Sequence, residues 1–385
     1  MKKGFLVPLA LCASLTCQAG DYIFEPVFSV DERYEDNLLL QINPSHVNWI
    51  STVSPAVRLG YLLESGDLVA NFKWNQLIYH NESTLNVAEK LFNADYLYNG
   101  ELFSFNLNGD YSIQSSLTTE LGSTGSGQLS NVQLLRTNRI IAPTFSYRLT
   151  ERDTLQLGYS YNDVTYEKSS TNSGLSDYIS QQLSTSASHK LSERQQVSLS
   201  GSYSLFKAPS ADQNSTTISY QAGWQYSFSE KTQLGLSIGM RNTDTESLGG
   251  RIKSSTSGHI FSANLDRATE WGSISVNAGQ QLNPASTGQQ QQATTFSART
   301  IYNINERWYT SLSVNYLKSD ATSGANSNNR TYATLSPALN WRWTPETKLE
   351  LSYSYRQQQF DNENDARVGN SVQLQFIYQP QINHR

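Results

Sequence analysis

The side chains able to do chemistry are few and scattered. Five histidines (His46, His80, His189, His259 and His384) show no i, i+4 pair and no cysteine neighbour of the kind a metal site uses. Both cysteines, Cys12 and Cys17, fall in the first twenty residues. Gly235-Leu236-Ser237-Ile238-Gly239 matches G-x-S-x-G but lies inside an alternating segment rather than at the strand-to-helix turn of a nucleophile elbow, and there is no Walker-type phosphate loop. Ser and Asp are abundant, so a chance grouping of Ser, His and Asp would carry little weight. Asp361-Asn362-Glu363-Asn364-Asp365 has oxygen donors for Ca²⁺, but Ala366 stands where an EF-hand loop needs glycine. The run reads as a solvated acidic loop tip. No catalytic residue, metal or cofactor is expected, and the chain reads as a non-enzyme.

The remaining candidates are charges on the polar side of alternating segments: Arg58, Lys73, Asp110, Arg148, Arg241, Asp266, Arg342, Glu350 and Arg356. In a strand, successive side chains point to opposite faces. The stretch from Thr154 to Tyr161 sets Leu155, Leu157, Tyr159 and Tyr161 against Gln156, Gly158 and Ser160. That from Gln233 to Arg241 sets Leu234, Leu236, Ile238 and Met240 against Gln233, Gly235, Ser237, Gly239 and Arg241. Val197 to Leu205 and Leu349 to Arg356 repeat the pattern, and none shows the helical period of 3.6. The polar face is mostly Ser, Asn, Gln and Gly rather than the Lys and Glu of a soluble sandwich. Small polar residues suit a water-filled barrel interior with the apolar face in hydrocarbon. The nine charges are therefore lumen-lining candidates. Both signs occur, which argues against a strong single-ion filter. The plainer reading of each is an ion-pair strut across the wall.

The whole chain supports such a wall. It has 385 residues, of which 16% are charged, against about 25% in soluble domains. Mean hydropathy is −0.50, and past residue 20 no apolar run approaches the roughly 18 residues of a spanning helix. A helical membrane protein is excluded. The 22 tyrosines and plentiful β-branched residues exclude disorder. Met1-Lys2-Lys3, an apolar stretch from Gly4 to Leu15 and Cys17-Gln18-Ala19 form a secretory leader, 1–19, cut after Ala19 or Gly20. A lipoprotein signal at Cys17 is the rival, which Thr16 fits poorly. Losing the leader takes the net charge from −5 (28 basic against 33 acidic residues) to −7 (26 against 33) and leaves no cysteine. Mild acidity argues against nucleic acid as a partner.

Short polar breaks follow at Glu64 to Asp67, Asn99 to Glu101, Glu151 to Asp153, Ser192 to Arg194, Ser229 to Lys231, Glu270 to Gly272, Asn305-Glu306 and Thr344 to Glu346. Longer Ser/Thr/Gly/Asn/Gln-rich stretches lie between them at Glu120 to Asn131, Ser169 to Ser176, Thr243 to Ser257, Pro284 to Gln292 and Ser319 to Asn329. Short periplasmic turns with long extracellular loops are the mark of an outer-membrane barrel, and the spacing predicts about 18 strands, an all-β antiparallel up-and-down barrel over 20–385. Tryptophans and tyrosines near segment ends, such as Trp49, Trp224, Trp271, Trp308 and Trp341, predict interfacial girdles. Pro55, Pro143 and Pro337 sit in three similar descending segments, as bends or as the relic of a duplicated hairpin. Partners expected from this class are outer-membrane lipid and the barrel assembly machinery.

The last strand runs polar-x-Gly-x-x-apolar-x-apolar, with Gly369, Val372 and Leu374 continued by Phe376 and Tyr378. It resembles the C-terminal assembly signal of bacterial outer-membrane barrels, departing from it in a short periplasmic tail, 379–385. The segment Val30-Asp31-Glu32-Arg33-Tyr34-Glu35-Asp36-Asn37 resembles the opening "V-x-E-x-Y-x-D-N" of a family of Gram-negative outer-membrane barrels associated with exopolysaccharide gene clusters. Trp49 to Pro55 resembles that family's "W-x-T-x-x-S-P" second strand, and Tyr147 to Arg152 its repeated turn. The resemblance implies a conduit for a secreted polysaccharide, working with a periplasmic polysaccharide export protein. It supplies no catalytic residues. A general diffusion porin, or a structural or surface-interaction barrel, is the alternative.

Overall fold

The alternation folds into antiparallel strands. The computed structural model describes residues 20–380 apart from 45, 121–132, 168–173, 248 and 322–328. The leader, the tail from 381 on, and much of the predicted loops at Glu120 to Asn131, Ser169 to Ser176 and Ser319 to Asn329 lie outside the described residues.

Eighteen strands are described: β1 (Asp21–Glu35), β2 (Asn48–Leu63), β3 (Gly66–Tyr79), β4 (Val87–Asn99), β5 (Phe103–Ser115), β6 (Leu135–Arg148), β7 (Asp153–Tyr166), β8 (Tyr178–Ser192), β9 (Gln195–Ala208), β10 (Gln213–Ser229), β11 (Thr232–Ser247), β12 (Ile252–Thr269), β13 (Gly272–Pro284), β14 (Gln290–Asn303), β15 (Trp308–Ala321), β16 (Arg330–Arg342), β17 (Thr347–Phe360) and β18 (Arg367–Tyr378). Each pairs with its neighbours in sequence, and β18 pairs back onto β1, Phe28 opposite Tyr378 and Glu35 opposite Ser371. The sheet therefore has no edge, which lets every strand cross a hydrocarbon layer with its backbone polar groups satisfied.

Eight connections at one end are 2 to 4 residues long, and nine at the other are 4 to 19. The eight short ones fall where the polar breaks are. Two predicted loops are corrected. Thr243 to Ser257 is mostly strand: β11 and β12 stay in register from Thr243 opposite Thr256 up to Ser247 opposite Ile252. Ser and Thr on both faces are compatible with a ladder standing in water, so loss of apolar alternation marks the edge of the membrane and not the end of the strand. The predicted loop at Pro284 to Gln292 likewise shrinks to 285–289 between β13 and β14.

Leu199, Tyr220, Ile238 and Met240 are among the most exposed large side chains, all on the outer face. An outer wall this apolar is stable only against lipid. Aromatic contacts concentrate near the short turns, as in Tyr98–Phe103–Phe145, Trp224–Tyr226–Phe228, Trp271–Tyr302 and Trp308–Trp341–Trp343. A closed barrel with an apolar belt, an aromatic girdle and a polar interior is an outer-membrane β-barrel.

The three prolines do the same thing in three places. Pro55, Pro143 and Pro337 face outward, and each ladder to the following strand skips the proline and the residue before it. Register is unchanged across every gap, so these are missing hydrogen bonds rather than bulges. Beside two of the gaps an inward serine bonds across instead: Ser54 Oγ donates to Asn75 Oδ1 at 2.8 Å, and Ser336 Oγ meets Ser354 Oγ at 3.1 Å.

Candidate functional site: the lumen and its loop-side mouth

The lumen divides into a charged wall and a neutral one. On β1, Asp31, Arg33 and Glu35 point inward together. Glu35 is ion-paired with Arg356 of β17, whose Nη2 also donates to the Asn37 carbonyl at 3.2 Å, and Arg33 Nε lies 3.6 Å from Glu35. Lys73 of β3 and Glu89 of β4 complete a cavity of about 310 Å³. An adjoining cavity of about 390 Å³ shares Arg33, Glu35 and Arg356 and adds Arg299, Glu350 and a row of serines. Acid and base alternate across neighbouring strands here, so the charges hold one another and leave no net field of one sign.

The opposite wall carries a third cavity of about 370 Å³, lined by Ser, Thr, Gln and Asn from β8 to β10 and from β13 and β14, with Arg241 of β11.

Arg356, Glu350 and Lys73 thus sit in the two charged cavities. Arg58 faces Glu25 at 3.4 Å, Asp110 accepts from Asn138 at 3.4 Å, and Asp266 accepts from Ser275 at 2.7 Å, each within one strand pair. Arg241 stands apart from the other candidates. Arg148 and Arg342 lie at the turn-side rim: each ends its strand and donates to a carbonyl of the neighbouring turn, of Glu101 at 3.2 Å and of Glu306 at 3.4 Å. Of the last-strand residues, Val372, Leu374 and Tyr378 face lipid, whereas Gly369 is buried inside. A Cβ there would meet the Asn37 carbonyl and Leu40 at 3.1 Å, so Gly369 makes room for an inward-folded loop.

That loop, 36–47, begins the closure of the mouth. Asp36 accepts from the Asn370 N–H at 2.6 Å and from its side-chain amide at 2.7 Å. Asn37 donates to the carbonyls of Gln41 (2.7 Å) and Val368 (2.8 Å). Leu40, held at a left-handed φ of 46°, packs fully buried on Ala293, Leu317 and Tyr332, and Leu38 on Ile50, Leu77 and Tyr79. Burial of these leucines offsets a backbone cost of about 1–2 kcal/mol at Leu40.

Glu120 is the second closure. It ends a short helix, α1 (Ser116–Glu120), and is 3% exposed. Tyr166 Oη donates to one carboxylate oxygen at 2.7 Å and Ser286 Oγ to the other at 2.6 Å, while Arg136 Nε lies 3.9 Å away. Ser286 also takes the Ser176 N–H on its carbonyl at 2.6 Å. Gly288, at φ +77°, lies so close to Ala208, Ala211 and Ser176 that a Cβ would clash. Loops from β5–β6, β7–β8, β9–β10 and β13–β14 are thereby tied together inside the mouth.

One outer-wall grouping has catalytic residue types. Ser51 Oγ donates to Glu32 at 2.5 Å and lies 2.6 Å from His80 Nε2. In nucleophilic catalysis the histidine sits between the serine and the acid, taking the proton while the acid orients it. Here the serine is in the middle, so the grouping does not have that order.

Charges at positions 31, 33 and 35 carry an i, i+2, i+4 signal, but Glu32 between them, which faces outward, masks the alternation. Glu120 and Arg136 carry no such signal, because their partners come from other loops and strands.

No family model matches the sequence, and no curated protein matches it. Among solved structures, the Pseudomonas aeruginosa protein OpdO superposes with a TM-score of 0.48 at 10% identity, covering 93% of this chain and 97% of that one. The outer membrane protein OpdK of the same organism gives 0.46 at 10%, covering 93% and 99%. The ferric citrate transporter FecA gives 0.45 at 10%, covering 89% of this chain and 60% of that one.

Proposed function

We propose that this chain is a diffusion channel of the outer membrane for small hydrophilic solutes, narrowed at its loop-side mouth. The observation that carries the reading is the lumen itself. An 18-stranded wall is too wide to be filled by its own side chains, and this one presents hydroxyls, amides and mutually paired charges, with loops that narrow one end. The test is conductance of the purified barrel in planar bilayers, with swelling of barrel-containing liposomes in sugars of increasing size. A steady ohmic conductance and a sharp size cut-off are expected. A barrel that conducts nothing and admits no sugar overturns the proposal.

Export of a polysaccharide stands second, favoured by the resemblance of the β1 motif and, with it, the expected periplasmic partner. The clasp and the Glu120 closure weigh against it. Asp36 and Asn37 of the motif serve to fasten a loop to β18, and a polymer leaving through the mouth would have to part the loops tied at Glu120. Undiminished secreted polysaccharide in a clean deletion strain would remove the export reading and leave the channel reading standing.

A further inference from the structure

Arg241 is 3% exposed and lines the neutral cavity, where it is the one charged side chain among the lining residues. Burying a guanidinium without counter-charge is costly, and nothing here supplies one. Nη1 donates to Thr243 Oγ1 at 3.1 Å and Nη2 to the neutral amide oxygen of Gln292 at 2.8 Å, while Nε has no partner among the described atoms. The segments outside the described residues between 20 and 380 contain no Asp or Glu, so no acid is hidden there. On β11 itself the nearby acids, Asp244 and Glu246, alternate with the inward Thr243 and Thr245 and so face outward. The backbone also makes room for this cation. Gly258 lies opposite Arg241 across the β11–β12 ladder, and a Cβ there would stand 3.0–3.1 Å from the guanidinium.

We infer that this cavity is a binding subsite for a hydroxylated carboxylate, a sugar acid. The guanidinium fork matches a carboxylate. An entering carboxylate displaces the Gln292 amide from Nη2, reaches Nε and supplies the missing charge. The ring hydroxyls then meet Gln182, Ser204, Thr217, Gln221 and Asn283, which line the same cavity and can both donate and accept. In the two cavities on the other wall, Arg33 and Arg356 are already in contact with Glu35. The subsite rests on the channel reading for its access to solute, but its binding can be measured without flux.

The experiment titrates the detergent-solubilised full barrel with galacturonate, with galactose as the neutral control and trigalacturonate as the polymeric arm. Binding is followed by calorimetry or saturation-transfer NMR, and folding by heat-modifiable gel mobility. Galacturonate should bind at least about tenfold more tightly than galactose. Arg241→Gln should erase that difference in a barrel that still folds. Gly258→Ala, which keeps the charge but crowds the guanidinium, should weaken galacturonate several-fold and leave galactose unchanged. It serves as the deciding variant if Arg241→Gln does not fold. Equal binding of the two sugars by the unaltered barrel, or galacturonate binding unchanged in a folded variant, overturns the subsite. Absent conductance with galacturonate binding intact would strike the channel reading and leave the subsite standing. Tighter binding of trigalacturonate than of the monomer would make the solute a segment of a polymer, with the same site chemistry.

Discussion

Asp36 and Asn370, 334 residues apart in sequence, hold each other by three hydrogen bonds: the Asp36 N–H donates to the Asn370 carbonyl at 3.1 Å, and the Asp36 carboxylate takes both the backbone and side-chain N–H groups of Asn370. The pair sits where β1 leaves the seam it shares with β18, and it fixes where the inward loop begins.

Removing this clasp should loosen the barrel measurably. Asp36→Ala deletes two bonds to a carboxylate and is expected to cost about 2 kcal/mol, read as a lower urea midpoint in lipid vesicles with unchanged slope. Asp361→Ala, at an exposed loop position whose carboxylate takes one 3.2 Å bond, should stay within about 0.5 kcal/mol. Equal effects of the two would deny the clasp its role.

The outer and inner faces should respond oppositely to the same charge. Ile238 is 69% exposed on the outer face, and Ser237 faces inward against Ser262 at 2.7 Å. Ile238→Lys puts an ammonium in hydrocarbon and should cost about 2–4 kcal/mol in vesicle unfolding. Ser237→Lys should cost under about 1 kcal/mol, since its ammonium reaches lumen water. A reversed order would mean that the wall is inside out.

Cutting the tie at Glu120 should widen the mouth. Glu120→Ala leaves Tyr166 and Ser286 without their shared acceptor and frees the β13–β14 loop from α1. Single-channel conductance is expected to rise and to become noisier, while turn-side variants such as Arg148→Ala leave it unchanged. Identical conductance in Glu120→Ala and the unaltered barrel would show that these loops do not narrow the path.

The proline gaps are testable one at a time. Pro337→Val restores an N–H facing β17 at a position whose register is already correct, so the ladder can close. A gain of about 1 kcal/mol is expected, together with a protected N–H at position 337 and slower hydrogen exchange at Tyr353, which the register places opposite it. Loss of stability instead would assign the proline a packing role on the lipid face.

Much of this molecule is legible before folding. Leu234, Leu236, Ile238 and Met240 already share a face in the chain, because strand geometry alternates by covalent necessity. Turn residues such as Glu64-Ser65 mark the eight short connections by their own local chemistry. Thr243 to Ser257 misled for a related reason: a strand in water keeps its hydrogen bonds but has no reason to keep apolar alternation. Membership of the lumen was readable for Arg241, but its isolation from every carboxylate was not.

Local periodicity therefore determined the wall: strand number, facing, and the division into short and long connections follow from residues two to ten apart. Tertiary structure alone decided what the wall encloses. Glu120 meets Ser286 across 166 residues, Arg356 meets Glu35 across the seam, and Gly369 is small because Leu40 lies against it. Loops have no period to carry such information. Their polar side chains find partners only once the closed sheet has brought distant strands to one mouth, which is the physical reason the barrel was readable and its interior was not.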